Sequence, residues 1–276
     1  MKIRIYQVLL TFACVSLALG IGGGCSKRTG QQENRIRIVG STSVFPFAEM
    51  LAETYEVTKP GVEVDVQAGG STVGIVSVRD GICDIGTSSR ELRDAEKTGV
   101  TIIETARDGI AVIVHPSNKL DSLTKKQIRD IYAKKITNWK ELGGDDASIA
   151  FVTREEGSGT RGAFDEIVMG EGVRISPSGL VQDSNGSIRE AVATSPHAIG
   201  YISLALVNQK VRAIKVDGAA PTHENLAEGK YPVVRPFLFV VKGQPKGQVK
   251  EFIDFVLGPK GQEVLNKEGL LSPIAK

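Results

Sequence analysis

The chain has 276 residues, 41% hydrophobic and only 5% aromatic, with 34 basic and 32 acidic side chains. That length supports one large core or two smaller ones without cross-links. A formal charge of +2 excludes the clustered basic excess of a nucleic-acid binder, so any anion must be held by local groups.

Residues 1–24 carry Lys2 and Arg4, an apolar run from Val8 to Ile21 and then small residues. This is the pattern of a cleaved export signal, too short an apolar run for a spanning helix. Cys25 follows Gly22-Gly23-Gly24 and resembles the lipidated cysteine of bacterial lipoproteins, although Gly22 stands where that pattern usually has leucine. Lipidation would supply a membrane anchor; ordinary cleavage nearby would leave a soluble protein. Residues 25–34 read as a polar tether. Without Lys2 and Arg4 the mature chain has 32 basic and 32 acidic residues. Cys14 leaves with the signal and Cys25 would carry lipid, so Cys83 alone remains and no internal disulfide is expected.

"RIRIVG" (35–40) predicts a strand, 45–60 a helix ended by Pro60, the alternating "VEVDVQA" (62–68) a strand, and 71–81 a short helix stopped by Gly81. "CDIGTS" ends another strand, and "TIIET" and "GIAVIVH" predict two more. This β-α-β-α-β order marks an open α/β sheet with helices on both faces. Residues 124–142 predict a helix and a connecting turn, 149–168 a strand, a loop and a helix, and 187–204 a helix and a strand. "VVRPFLFVV" (233–241) is a strong β run, and two helices broken at Gly258-Pro259 close the chain. The order suggests two α/β lobes: 35–113 plus 232–276, and 114–231 inserted between them. "GIAVIVHP" and "VVRPFLFVV" are the natural crossovers.

Three loops share one chemistry. "GSTSVFP" (40–46), "GGSTVG" (69–74) and "GSGTRG" (157–162) each join glycine to serine or threonine at a predicted helix start. Close backbone approach, hydroxyl donors and free helix N–H groups all favour an anion there. A fourth polar stretch, "GTSSR" (86–90), follows the "CDI" strand. Arg154, just before the third loop, can add a charge-assisted pair. Each loop taken singly is also an ordinary helix cap, and Arg154 could simply pair with Glu155, Glu156 or Asp165.

"GSGTRG" matches the glycine spacing of a dinucleotide loop, with Asp183 some distance on, but Thr153 to Glu156 separate it from the strand where that fingerprint needs a tight turn. No G-x-S-x-G elbow surrounds Ser43, Ser71 or Ser158. His115, His197 and His223 are scattered, give no metal cluster, and are the only imidazole bases for a serine hydrolase.

In this order "GSTSVFPFAEMLAETY", "GGSTVGI…GICDIGTSSREL", "TNWKELGG", "REEGSGTRGAF", "AIGYISL" and "FIDFVLGPKGQEVLNKEGLLSP" resemble the phosphate-binding proteins of bacterial ABC phosphate importers, over nearly all of 36–274. The resemblance implies a two-lobed, class II periplasmic-binding-protein-like α/β fold that closes on dehydrated phosphate. It implies phosphate contacts from Thr42, Ser43, Val44 through its backbone, Ser71, Arg154, Ser158, Gly159 and Thr160, with Arg161 either helping or pairing outward. Well-studied members carry an aspartate in the fourth loop that accepts the proton phosphate has and sulfate lacks; here Ser89 stands there. Phosphate is the expected ligand, with sulfate, molybdate or tungstate as alternatives and an exported phosphatase as a remoter one. The resemblance further implies delivery to ABC permease subunits by an extracytoplasmic monomer with no covalent chemistry, metal, cofactor or nucleic acid.

Overall fold

The computed structural model describes residues 34–273. The signal segment 1–24 and Cys25 lie outside them, as does all of the tether but Asn34. The described chain runs β1 (Arg35–Gly40), α1 (Phe45–Thr58), β2 (Glu63–Ala68), α2 (Ser71–Arg79), β3 (Ile85–Ser88), β4 (Val100–Val114), β5 (Ser122–Leu123), α3 (Lys125–Tyr132), β6 (Ala150–Arg154), α4 (Gly159–Phe164), β7 (Leu180–Gln182), α5 (Asn185–Ala193), β8 (Ala198–Ser203), β9 (Arg212–Ala213), β10 (Lys215–Val216), α6 (His223–Ala227), β11 (Val234–Lys242), α7 (Gly247–Leu257) and α8 (Pro259–Lys267). None of these helices is long and apolar enough to cross a membrane.

Local sequence explains the first units. α1 buries Phe47, Ala48, Leu51, Ala52 and Tyr55, one face at helical spacing, and carries Pro46 in its first turn, where no N–H is needed. β1 buries Ile36 and Ile38 on alternate positions. β1 pairs in parallel with β2 and β3, as β-α-β units require. In the second lobe β6 pairs in parallel with both β7 and β8.

The lobes are joined by antiparallel strands, so the sheet is mixed: β2-β1-β3-β11-β4-β8-β6-β7, with β9 also on β4. The two strands expected at "TIIET" and "GIAVIVH" are one. β11 pairs with β4 from Val100 to Gly109, and β8 takes over from Ile110 to Val114. The intervening Ala106–Asp108 stays extended because Phe237, Pro236 and Arg235 pair with it; the pattern breaks only at a register shift between Phe237 and Leu238. Pro236 is tolerated because β3 pairs only with Leu238–Val240 and ends short of it.

One apolar core gathers Ile36, Phe47, Tyr55, Phe239, Phe252 and Leu265. Another gathers Val112, Ile128, Tyr132, Phe151, Phe164 and Tyr201. Phe164 stacks on Tyr201 with centroids 3.9 Å apart, and the Tyr201 hydroxyl bonds Thr153 Oγ1 at 2.8 Å. Residues of the "GSGTRGAF" and "AIGYISL" stretches thereby lock the end of β6.

Cys83 is buried, and burial pushes its thiol up to about 11. A buried thiol of that kind is a poor nucleophile. In a Cys14→Ser, Cys25→Ser background, a disulfide reagent at pH 8 is expected to count no thiol in folded protein and one in denaturant; prompt labelling of the folded protein would contradict this packing.

Candidate anion-binding cleft

The four polar loops meet where the lobes touch. Thr72 N donates to the Gly157 carbonyl at 3.1 Å across that boundary, and Ser43 Oγ and Thr160 Oγ1 lie 2.7 Å apart. Ser43, Ser71, Ser89, Ser158, Gly159 and Thr160 are all buried, while Thr42 is half-buried. The spot where each residue sits follows from its helix. Ser71 is the first residue of α2. Ser158 caps α4, and Gly159 and Thr160 form its first turn, whose N–H groups lack intrahelical partners. Val44 precedes α1, but its N–H is directed at Ser41, 3.2 Å from the carbonyl and 3.4 Å from Oγ, and its side chain is buried in the core.

The cleft hydroxyls share one polarity. Each accepts a hydrogen bond from a neighbouring donor. Thr42 Oγ1 accepts from Arg154 Nη2 at 3.1 Å and Ser43 Oγ from Asn185 Nδ2 at 2.9 Å. Ser71 Oγ accepts from Ser89 N at 3.1 Å, Ser89 Oγ from Ser41 Oγ at 2.8 Å, Ser158 Oγ from Arg161 N at 3.3 Å, and Thr160 Oγ1 from Arg235 Nη1 at 2.7 Å. A hydroxyl that is already accepting has its own hydrogen left to give. In the Ser43–Thr160 pair both oxygens accept an N–H from elsewhere. One of their two hydroxyl hydrogens lies between them, and the other is free for a ligand.

Arg154 supplies the charge. Its side chain is 1% exposed. Nε and Nη2 donate to the Glu155 carboxylate at 3.0 and 2.9 Å and to the carbonyls of Gln182 and Asp183 at 3.1 and 2.8 Å. Nη1 is buried with no hydrogen-bond partner among the described residues, a donor whose desolvation is favourable only with an acceptor in reach. The pairing with Glu155 therefore coexists with a free donor. Arg161 turns away: Nη1 donates to the Arg154 carbonyl at 2.9 Å and Nε lies 3.7 Å from Asp165.

Three side chains of this cleft escaped the sequence reading. Asp108 on β4 and Arg235 on β11 form a wholly buried ion pair, with Arg235 Nη2 2.8 Å from Asp108 Oδ2. Burial pushes the Asp108 carboxyl up and the Arg235 guanidinium opposes that. Asn185 starts α5, donates to Ser43 and accepts from Ser203 N at 3.1 Å. The signal for the pair was available: Arg107 and Asp108 open the apolar run "RDGIAVIV", and Arg235 stands alone within "VVRPFLFVV". Asn185, next to a capping serine, had none.

Two glycines of "GSGTRG" leave room that the opposite lobe fills. A Cβ on Gly159 would overlap Ser71 Oγ and come within 2.5 Å of Ser89 Oγ, and one on Gly162 would lie 2.5 Å from Arg90 Cδ. Asp183, the acid that a dinucleotide loop would use, offers its carbonyl to Arg154 and its carboxylate to Ser187. His115 bonds Ser117 at an exposed turn, the His197 carbonyl accepts from Trp139, and His223 begins α6. Among the described residues no group of three His, Cys, Asp or Glu could hold a metal.

A family model for the PBP superfamily domain matches residues 27–260. The phosphate-binding protein PstS of Bacillus subtilis is 30% identical over 266 residues, covering 92% of this chain and 88% of that one. The protein of the same name from Borreliella burgdorferi is 30% identical over 251 residues, 87% of this chain and 90% of that one. A solved structure from Clostridium perfringens, described as a putative phosphate ABC transporter substrate-binding protein with bound phosphate, is 44% identical. It superposes with a TM-score of 0.84 over 87% of this chain and 100% of that one. An ABC-type phosphate transport receptor from Vibrio cholerae is 38% identical, with a TM-score of 0.74 over 86% and 100%.

Proposed function

The chain belongs to the PBP superfamily and to its PstS-like phosphate-binding proteins, and on that premise we propose that it captures inorganic phosphate between its lobes and delivers it to an ABC phosphate importer. The observation that carries this reading is the common polarity of the cleft: hydroxyls that already accept keep a hydrogen to give, and they gather with helix N–H groups and an Arg154 nitrogen that has no partner among the described residues. Micromolar capture needs about −8 kcal/mol. Several charge-assisted bonds of about 1.5–3 kcal/mol each supply it after the cost of desolvation.

In this reading Thr42, Ser43, Ser71, Ser89, Arg154, Ser158, Gly159 and Thr160 bind phosphate. Val44 contributes its N–H only if it exchanges Ser41 for the ligand. The lobes are 35–113 with 232–276, and 114–231, and they close about β4 and β11. The protein does no covalent chemistry and works as a monomer. It is exported by residues 1–24, and Cys25 carries the lipid that holds it at the outer face of the cytoplasmic membrane near its permease.

Ser89 favours a second ligand class. Its Oγ accepts from Ser41, so it faces the ligand as a donor. It does not repel a fully ionised anion as a carboxylate would. Titration calorimetry of anion-stripped protein with phosphate, repeated in excess sulfate, decides between them. One-to-one phosphate binding that survives sulfate is expected. No heat with phosphate, or equal displacement by sulfate, would assign the cleft to another oxyanion.

A further inference from the structure

Arg235 stands where the lobes join. It lies directly opposite Asp108 in the β4–β11 ladder, next to the last pair, Val234 and Gly109, after which β4 pairs with β8. Nε and Nη2 both donate to Asp108 Oδ2, at 3.0 and 2.8 Å. That fixes the plane of the fork and leaves Nη1 for the cleft. Nη1 donates to Thr160 Oγ1 at 2.7 Å and makes a longer contact, 3.4 Å, with the Ser89 carbonyl. The guanidinium carbon also lies 5.2 Å from the centre of the Phe237 ring. One nitrogen thus touches a group from each lobe while its side chain is rooted in the strands that connect them.

Resting on the phosphate reading above, we infer that Arg235 is a positioning residue for anion capture: it holds the Thr160 hydroxyl as a donor and ties the Ser89 loop to α4 only when the lobes are closed. Asp108 cancels its charge, so it contributes direction more than attraction. Occupying a lone pair of Thr160 leaves that hydroxyl, with Ser43, one hydrogen to give and little capacity to accept. The fork cannot swing away without stranding the buried Asp108 carboxylate. The donor is therefore preorganised, and ligand binding need not order it.

The test is phosphate titration of Arg235→Lys, Thr160→Val and the double variant beside the wild type, with amide hydrogen exchange across residues 159–164 in anion-free protein. Lysine keeps a cation opposite Asp108 but cannot serve Asp108 and Thr160 with one point charge. The Arg235→Lys variant is expected to bind phosphate about tenfold more weakly or worse and to exchange faster across 159–164. Adding it to Thr160→Val is expected to cost nothing further, because it acts through that hydroxyl. Additive losses, or an unchanged Kd with unchanged exchange, would overturn the inference. If Arg235→Lys does not fold, the Asp108→Asn, Arg235→Gln pair, neutral and hydrogen-bonding, takes its place in the same cycle. A wild-type protein that ignores phosphate overturns the functional reading instead, and the exchange comparison then still decides whether Arg235 orders α4.

Discussion

Replacing Arg154 with alanine is expected to abolish phosphate capture at micromolar ligand while leaving a folded protein. The guanidinium is buried, makes the Arg154–Thr42 bond between the lobes, and has one nitrogen without a partner among the described residues. Removing one partner of a buried, hydrogen-bonded charge pair costs about 2–5 kcal/mol, or about thirty-fold to a few thousand-fold in Kd. The fold loses less. Glu155 is 37% exposed and can turn to water, and the Gln182 and Asp183 carbonyls, on residues that are not buried, lose a donor that water can replace. Arg154→Lys is the informative companion. It keeps the charge but cannot reach Thr42 and both carbonyls with one ammonium, so its Kd is expected to fall between the two. Calorimetry beside thermal unfolding separates the effects. Wild-type affinity in the alanine variant would remove Arg154 from the site.

Gly159→Ala is expected to hold the protein open. The added Cβ would overlap Ser71 Oγ and crowd Ser89 Oγ, and both belong to the opposite lobe. The clash exists only when the lobes meet, and parting them relieves it. Gly159 has ordinary helical backbone in α4, where alanine is the better helix former. Unfolding temperature in anion-free protein should hold or rise slightly. Overpacking costs about 1–3 kcal/mol, so Kd should weaken about five-fold to a hundred-fold or more, and small-angle scattering should show less compaction on adding phosphate. Gly74→Ala makes the contrast. There the Cβ would meet the Val39 carbonyl at 2.5 Å and Gly40 Cα at 2.7 Å within one lobe; opening gives no relief, and the loss should appear in stability. If Gly159→Ala binds and compacts like the wild type, the lobes do not close through this contact.

Much of this arrangement was legible in the chain because it is local. Glycine and hydroxyl residues that start helices are a short-range pattern, and alternation or helical spacing set β1, α1, β2 and α2 almost to the residue. What was hidden is what depends on register. Arg235 and Asp108 are 127 residues apart and meet only because β11 lies antiparallel to β4 in one particular alignment. Asn185 reaches Ser43 across 142 residues. The merging of two apparent strands into β4 has the same origin: polar Arg107 and Asp108 look like a break until β11 is laid beside them. The Val44 N–H illustrates another limit. Position in a loop says that a donor is near, and only the turn geometry reveals that Ser41 already holds it.

The place of β11 in the sheet also sets an order of events during folding. It lies between β3 and β4, although more than a hundred residues separate it from either in the chain. The second lobe can gather its buried core, Ile110 to Val233, before β11 arrives. The first lobe cannot: β3 lacks its neighbour, and the core around Phe47 and Tyr55 lacks Phe237, Phe239 and Phe252, until nearly the last residues arrive. Such non-local pairing is slow and leaves strand edges exposed while it waits. A chain cut short just before Val234 would therefore carry one nearly completed lobe and one open, sticky sheet, so the segment from Val234 onward is what completes the molecule.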